Sequence, residues 1–217
     1  MEVGPACHFF MGGIHVDEKC RTKIPGLFAV GEVSGGLHGA NRLSDLALTQ
    51  VFVQGAIGGA EAAAFARSNA RSSGKFLKSE ETVQRAYDPI NNDDGPSPFE
   101  MKKRIQEISW QKVGVIREGK TLRTALTELL PLHAGIKQLS CRSKDLTYNR
   151  EWIEAIQCRN LLTLTECITR SSLTREESRG AHYRKDFPSS DNNNWLKNVI
   201  LSQENSEIVV AIQPLER

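Results

Sequence analysis

Residues 24 to 68, IPGLFAVGEVSGGLHGANRLSDLALTQVFVQGAIGGAEAAAFARS, constrain the fold more than any other part of the chain. A Pro-Gly turn leads into the short apolar run Leu27 to Val30, which reads as a buried strand ending at Gly31. The loop GEVSGGLHGANRLSD follows, and then a run of small and apolar residues from Leu46 to Ser68, long enough for roughly five or six helical turns. The pattern is strand, glycine-rich loop, helix. Gly55, Gly58 and Gly59 lie inside that helix, each costing up to about 1 kcal/mol relative to alanine. A helix that bears this cost is expected to approach another backbone or a bound ligand closely.

A chain of 217 residues buries one substantial core, or a core and a smaller appended unit. Residues 68 to 97 turn polar, with SSGK and NNDDGPSP, and read as a linker. Beyond it, Met101, Ile105, Ile108, Val113 and Ile116 fall near helical spacing, after Asp94, Ser97 and Glu100 at a helix start. Leu122, Leu126, Leu129 and Leu130 share one face of a second segment, and Trp152, Ile153, Ile156, Leu161, Leu164 and Ile168 form a wide stripe on a third. Residues 98 to 173 are therefore expected to form a three-helix antiparallel bundle, within a helical unit that runs on to residue 190. In the tail, residues 191 to 217, the weak alternation around Ile208, Val209, Val210 and Ile212 suggests a strand. With no neighbouring strand in view, it must pair elsewhere or fray.

With 28 Lys and Arg against 26 Asp and Glu, a net charge of +2 gives no electrostatic case for nucleic acid or an anionic membrane as partner. No stretch approaches the ~20 apolar residues that span a bilayer, and no export signal is visible, so cytosolic residence is the default expectation. Cys7, Cys20, Cys141, Cys158 and Cys167 are scattered without a C-x-x-C pair, which suggests reduced packing thiols and neither a metal site nor a disulfide framework. Cys7 and His8 are neighbours, but adjacent side chains on an extended chain point to opposite faces, which argues against a thiolate-imidazole pair. His182 and Arg179, in ESRGAHYRKD, could be read as an acid-base pair; a charged stretch after a helix reads better as a solvated or interdomain surface.

The chemistry concentrates near the N-terminus. In ACHFFMGGI, His8 stands beside two phenylalanines and a Gly-Gly pair, which places an imidazole next to backbone that can pass close to a flat ligand. About thirty residues on, His38, Asn41 and Arg42 follow two glycines, so a guanidinium and an imidazole can converge on a carboxylate. The helix starting just after Arg42 turns its free N-H groups and positive dipole end toward the same place.

Taken in order, HFFMGGI, PGLFAVGE and HGANRL, with SWQKVGVIREGKTLRTAL and RNLLTLTECITRSSLTREESRGAHYRKDFP further on, resemble the flavoprotein subunit of succinate dehydrogenase and fumarate reductase, a family that includes L-aspartate oxidase. The resemblance implies an α+β chain: the C-terminal portion of a Rossmann-like FAD-binding domain, residues 1 to 67, followed by a helical domain, residues 98 to 190. It implies substrate-binding roles for His8 and Arg42, and FAD-binding roles for Glu32, Ala47 and Leu48. His38 is either an internal partner that fixes the loop or a further substrate contact. The implied reaction is hydride transfer between the flavin and a C4 dicarboxylate. The implied partners are an N-terminal flavoprotein half or an iron-sulfur subunit, so that the chain sits in the cytoplasm or at the edge of a membrane complex.

Two departures qualify the likeness. Ser44, Asp45, Leu46, Ala47 and Leu48 stand where the family has small-small-Asn-Ser-Leu, and Asp45 puts a carboxylate where the family offers N-H groups to the substrate; like charges in a dry site cost several kcal/mol. No G-x-G-x-x-G phosphate loop follows a strand in these residues. The expectation is a fragment or split subunit, inactive alone; the competing expectation is a non-enzymatic interaction module or degenerate paralogue that docks on a flavin or iron-sulfur partner subunit.

Overall fold

The computed structural model describes residues 8–69, 80–205 and 207–215. The chain divides into two compact units, residues 1–75 and 76–217. Helices and a few short strands are mixed along it, and among the described residues no helix is long and apolar enough to cross a membrane. Cys7 lies outside the described residues.

The first unit is built on one long helix, α1, Leu46–Ser68. Its bounds match the run of small and apolar residues in the sequence. A single 3-10 turn, Gly31–Val33, packs on it. The apolar run before that turn is not a buried strand. It makes one antiparallel bridge, Arg21 with Phe28, and Leu27 and Val30 are 45% and 38% exposed. A strand needs a continuous partner, and among the described residues only isolated bridges are offered, the second joining Ile14 to Ser34.

Of the three helix glycines, Gly58 explains itself. A Cβ there would stand 2.5 Å from Val30 Cγ1 and 3.2 Å from Cys20 Cβ, so only glycine lets the Cys20 and Val30 turns close on the helix. Gly55 and Gly59 face open space.

The second unit surrounds a core of Met101, Ile105, Ile108, Leu122, Leu129 and Leu162 with their neighbours. The segment read as a linker carries a helix, α2, Glu80–Asn91, that belongs to this unit. Pro89 inside α2 has no N-H, which leaves the Arg85 carbonyl without its helical donor; Arg159 Nη2 donates to it at 3.1 Å, and Trp152 Nε1 donates to Ala86 O at 2.6 Å. Both donors stand on α6, Arg150–Thr174. The proline therefore ties two helices together.

Between them run α3, Pro98–Ile108, α4, Gly119–Leu129, and α5, Leu132–Lys137. The span expected to hold three helices thus carries four, since Pro131 divides the leucine-rich segment into α4 and α5. A π-type turn, Ser109–Val113, ends α3 and buries Val113, but Ile116 beyond it is 70% exposed. Ile116–Arg117 form a two-residue strand, β1, that pairs in parallel with β2, Tyr183–Arg184.

Only half of the expected α6 stripe faces the core: Trp152, Leu161 and Ile168 pack against it from half-buried positions. Ile153, Ile156 and Leu164 are exposed, and beside the buried, ion-paired Glu154 and Glu166 runs the buried row Ala155, Cys158, Leu162, Thr165, Thr169 and Ser172. These recur at steps of three and four, and their small size lets α3 and α4 pack close on α6. Thr165 and Thr169 are satisfied within the helix, each hydroxyl donating to the carbonyl four residues back at 2.8 and 2.6 Å.

After the short helix α7, Asn192–Trp195, the tail forms a hairpin of β3, Lys197–Glu204, and β4, Glu207–Pro214. The tail strand has a neighbour after all: β3 pairs antiparallel along its whole length, from Lys197 opposite Pro214 to Glu204 opposite Glu207. Asn205, at φ 48°, supplies the left-handed residue that a tight hairpin connection demands.

Candidate functional site

Two backbone crossings shape the first unit's loop. Gly13 and Gly35 lie against each other: a Cβ on Gly13 would fall 2.4 Å from Val33 O, and one on Gly35 would fall 2.8 Å from Gly13 N. That closeness permits the paired bonds Ile14 N-H to Val33 O, 2.8 Å, and Gly35 N-H to Ile14 O, 2.9 Å. Because the clashing atoms are backbone, Gly13→Ala is expected to cost about 1–3 kcal/mol by overpacking and to speed amide exchange at Ile14 and Gly35. Unchanged exchange at both amides in a hydrogen-deuterium measurement would rule the crossing out.

The second crossing is a polar network under the glycine turn. Gly31, at φ 70°, donates its N-H to Gln54 Oε1 at 2.9 Å, and its carbonyl accepts from Gln50 Nε2 at 3.0 Å and from Ser34 Oγ at 2.8 Å. Gln50 and Ser34 are both 3% exposed, so a missing partner here would carry a real desolvation cost. Sequence reading passed over Gln50 and Gln54. Their signal was present: two amides four residues apart on a helix otherwise small and apolar must share a face and must be satisfied.

On this base stand the residues singled out from the sequence. The Arg42 guanidinium lies over the Phe9 ring, 4.5 Å from its centroid, and the His38 ring meets Phe9 edge-on at 5.3 Å. His38 Nε2 is 2.7 Å from Gln50 Oε1. Glu32 Oε1 accepts the Phe10 N-H at 3.1 Å. Thus Glu32, His38 and Arg42 are gathered at the stretch His8 to Phe10. His8 itself is exposed and makes no hydrogen bond among the described residues.

Arg42 Nε is buried and finds no hydrogen-bond partner among the described residues. A guanidinium donor in that condition calls for an acceptor. Asp45 caps α1 by position only, since its side chain takes no N-H of the helix. The Leu48 N-H is spent on Asp45 O at 3.1 Å, and the Ala47 N-H is left without a partner among the described residues. The Leu48 side chain is 66% exposed. Gly36 and Gly39, at φ 100° and 54°, have open space where a Cβ would stand.

The ESRGAHYRKD stretch, in the second unit, is solvated only in part: Gly180, Ala181, Tyr183, Lys185 and Asp186 are exposed, but its ion-pair centre is not. Glu177 is fully buried and Arg184 is 2% exposed. Glu177 takes Arg175, both donors of Arg179 and the Asp191 N-H at 2.5 to 2.8 Å. Burial alone would raise its carboxyl, but the bonds from Arg179, the Asp191 N-H and Arg175 outweigh it and hold it below the ordinary value. His182 is hemmed in by Arg117 and the Arg175 carbonyl, and burial, reinforced by Arg117, pushes it down to about 4. It is a neutral structural imidazole and not half of an acid-base pair with Arg179, whose guanidinium is spent on Glu177 and Asn192. The Cys20, Cys141 and Cys158 thiols are buried singly, and burial lifts that of Cys158 to about 11.

Comparison with known proteins bears on both units. Residues 102–216 match the model described as fumarate reductase flavoprotein C-term, and residues 1–48 match an FAD binding domain. A fumarate reductase (CoM/CoB) subunit of Methanothermobacter marburgensis is 38% identical over 94% of this chain and 37% of its own length. The fumarate reductase flavoprotein subunit of Escherichia coli is 32% identical over 91% of this chain and 34% of its own. Among solved structures, Mycobacterium smegmatis Sdh1 in complex with UQ1 superposes with a TM-score of 0.92 at 31% identity, over 100% of this chain and 37% of that one. The chain therefore spans about a third of the length of the relatives it matches.

Proposed function

We propose, for a chain that belongs to the fumarate reductase flavoprotein C-terminal family, that it contributes the carboxylate-binding edge of an FAD-dependent oxidoreductase site, together with a helical domain. The reaction of the whole enzyme is then hydride transfer between the flavin and a C4 dicarboxylate of the succinate or fumarate type. In this reading residues 1–67 are the C-terminal portion of a Rossmann-like FAD-binding domain, and α3, α4 and α6 are the body of the helical domain.

The observation that carries the reading is Arg42. Its Nε is buried and unpartnered among the described residues while its plane is held on Phe9, as suits a guanidinium reserved for an anionic ligand. His8 and His38 would stand beside it as further carboxylate contacts. The residues present also fit a flavin: Gly36 and Gly39 leave open backbone, and the Ala47 N-H at the start of α1 is free to donate. Glu32, Ala47 and Leu48 would hold the cofactor, which when bound supplies the hydride donor or acceptor.

Because the chain spans about 37% of its Methanothermobacter relative, the adenosine and pyrophosphate contacts fall to a further segment or an N-terminal flavoprotein half. An iron-sulfur subunit is the proposed electron partner. The test is spectroscopic. The chain, titrated with FAD and supplied with a dinucleotide-binding segment from a relative, is expected to take up flavin whose absorption band shifts on adding succinate. Arg42→Gln should weaken that succinate response about tenfold to a hundredfold, the loss of a charged hydrogen bond, with flavin uptake unchanged. A succinate response indifferent to Arg42 refutes the carboxylate role, and fumarate reduction by the chain alone would overturn its partial character.

A further inference from the structure

The polar network under the glycine turn fixes more than the backbone. A backbone N-H can only donate, so the Gln54 atom that meets Gly31 N at 2.9 Å is its oxygen. A backbone carbonyl can only accept, so the Gln50 atom 3.0 Å from Gly31 O is its NH2 group. The same NH2 also meets Ser34 Oγ at 3.1 Å and Gln54 Oε1 at 3.0 Å. The orientation of the Gln50 amide is therefore settled, and its other end, 2.7 Å from His38 Nε2, is the oxygen. An amide oxygen cannot donate, so the proton of that bond belongs to His38 Nε2.

We infer that Gln50, anchored by Gly31 and Gln54, is a positioning residue that locks His38 as the Nε2-H tautomer and leaves Nδ1 as its free pole. Among the described residues Nδ1 has no partner. The edge contact with Phe9, at 5.3 Å between centroids, adds a second restraint on the ring. His38 then meets a ligand through Nδ1 alone: as an acceptor when neutral, and as a donor to a carboxylate oxygen when protonated. The choice left open by the sequence, internal partner or ligand contact, dissolves, because each ring nitrogen serves one of the two roles.

The ligand half of this inference rests on the carboxylate-site reading above; the tautomer lock does not. The experiment is a long-range proton-nitrogen correlation spectrum of the full chain labelled at histidine, with His38→Asn identifying the His38 signals. Wild type at neutral to slightly alkaline pH should show a directly observed, slowly exchanging Nε2-H proton and an unprotonated Nδ1. Gln50→Met should speed exchange of that proton about tenfold or more, the loss of roughly one hydrogen bond. A proton on Nδ1 in wild type overturns the inference. So does an equally protected Nε2-H in folded Gln50→Met. Should that variant fail to fold, the wild-type spectrum decides alone. Adding FAD, the complementing segment and succinate separates the two readings: a locked Nε2-H with an Nδ1 signal that succinate leaves unmoved sinks the site and leaves the lock standing.

Discussion

Replacing Arg184 by methionine is expected to destabilise the helical unit by about 2–4 kcal/mol, chiefly the loss of a buried guanidinium's charged hydrogen bonds to helix-end carbonyls. Arg184 Nη1 donates to the carbonyls of Ser172, Leu173 and Arg175 at 2.6 to 3.1 Å, the groups that the end of α6 leaves without helical donors. Its Nε and Nη2 grip both oxygens of Asp186 at 2.8 Å, and Asp186 in turn accepts the Gly119 N-H, the first of α4, at 2.9 Å. One ion pair thus joins the negative end of one helix dipole to the positive end of another. Methionine fills a similar volume but removes the donor of the Ser172 and Leu173 carbonyls and leaves Arg175 O with His182 and Asp186 with the Gly119 N-H alone. Arg184→Lys should recover only part of the loss, since an ammonium cannot make the planar two-sided grip. Urea unfolding of the three proteins, followed by far-ultraviolet circular dichroism, reads the difference. A loss below about 1 kcal/mol for Arg184→Met, the range of an exposed pair, would show that the pair is not the clamp described.

This clamp also marks where the sequence stops being legible. The helix α1 was legible because its residues are small and apolar throughout and bounded by loop chemistry. Met101, Ile105, Ile108 and Val113 were legible as core because large side chains keep helical spacing. The buried face of α6 was not. Its residues are small or hydroxylated, and a threonine that bonds its own helix carries no apolar signal while being fully buried. The strand β3 hid for a different reason: KNVILSQE runs its apolar residues together instead of alternating them, so only its partner reveals the pleat. ESRGAHYRKD looked like surface because charge in sequence usually means solvent. Here the charges are paired with one another and with helix ends, a fact of three-dimensional partnership that composition cannot carry.

At the candidate site the balance was similar. His8, Arg42 and His38 stood out in the sequence as polar groups beside glycines, and Glu32 was implied by the family resemblance. Gln50 and Gln54, which give them their geometry, did not, because each acts through a contact and not through its own chemistry.

The second large effect is one of pH. His182 has a folded pKa of about 4, lowered first by burial and then by the charge of Arg117, against an ordinary value of 6.5. Its neighbours Arg175 and Arg184 are also cations, and no carboxylate offsets them at the ring. Above pH 6.5 folded and unfolded chains both hold it neutral, and it contributes no pH dependence. As pH falls below 6.5 the unfolded chain takes a proton that the folded chain refuses until about 4. Stability is therefore lost across that window, by about 3 kcal/mol in all, at 1.36 kcal/mol per unit of difference. Glu177 and Asp186 are shifted in the same direction but titrate from a lower starting point: their folded pKa values are held low, that of Asp186 by Arg184 first. Their contribution is intact above the unfolded carboxylate range and is lost only below it, so the two losses follow one another as acid is added. Urea midpoints measured from pH 8 to 4 should fall from about 6.5 downward in wild type. They should stay level in that window for His182→Gln, whose amide can accept from Arg117 and donate to the Arg175 carbonyl without titrating. Equal slopes for the two proteins would assign the acid sensitivity to other groups and return His182 to the solvent-facing role that its charged neighbours in sequence first suggest.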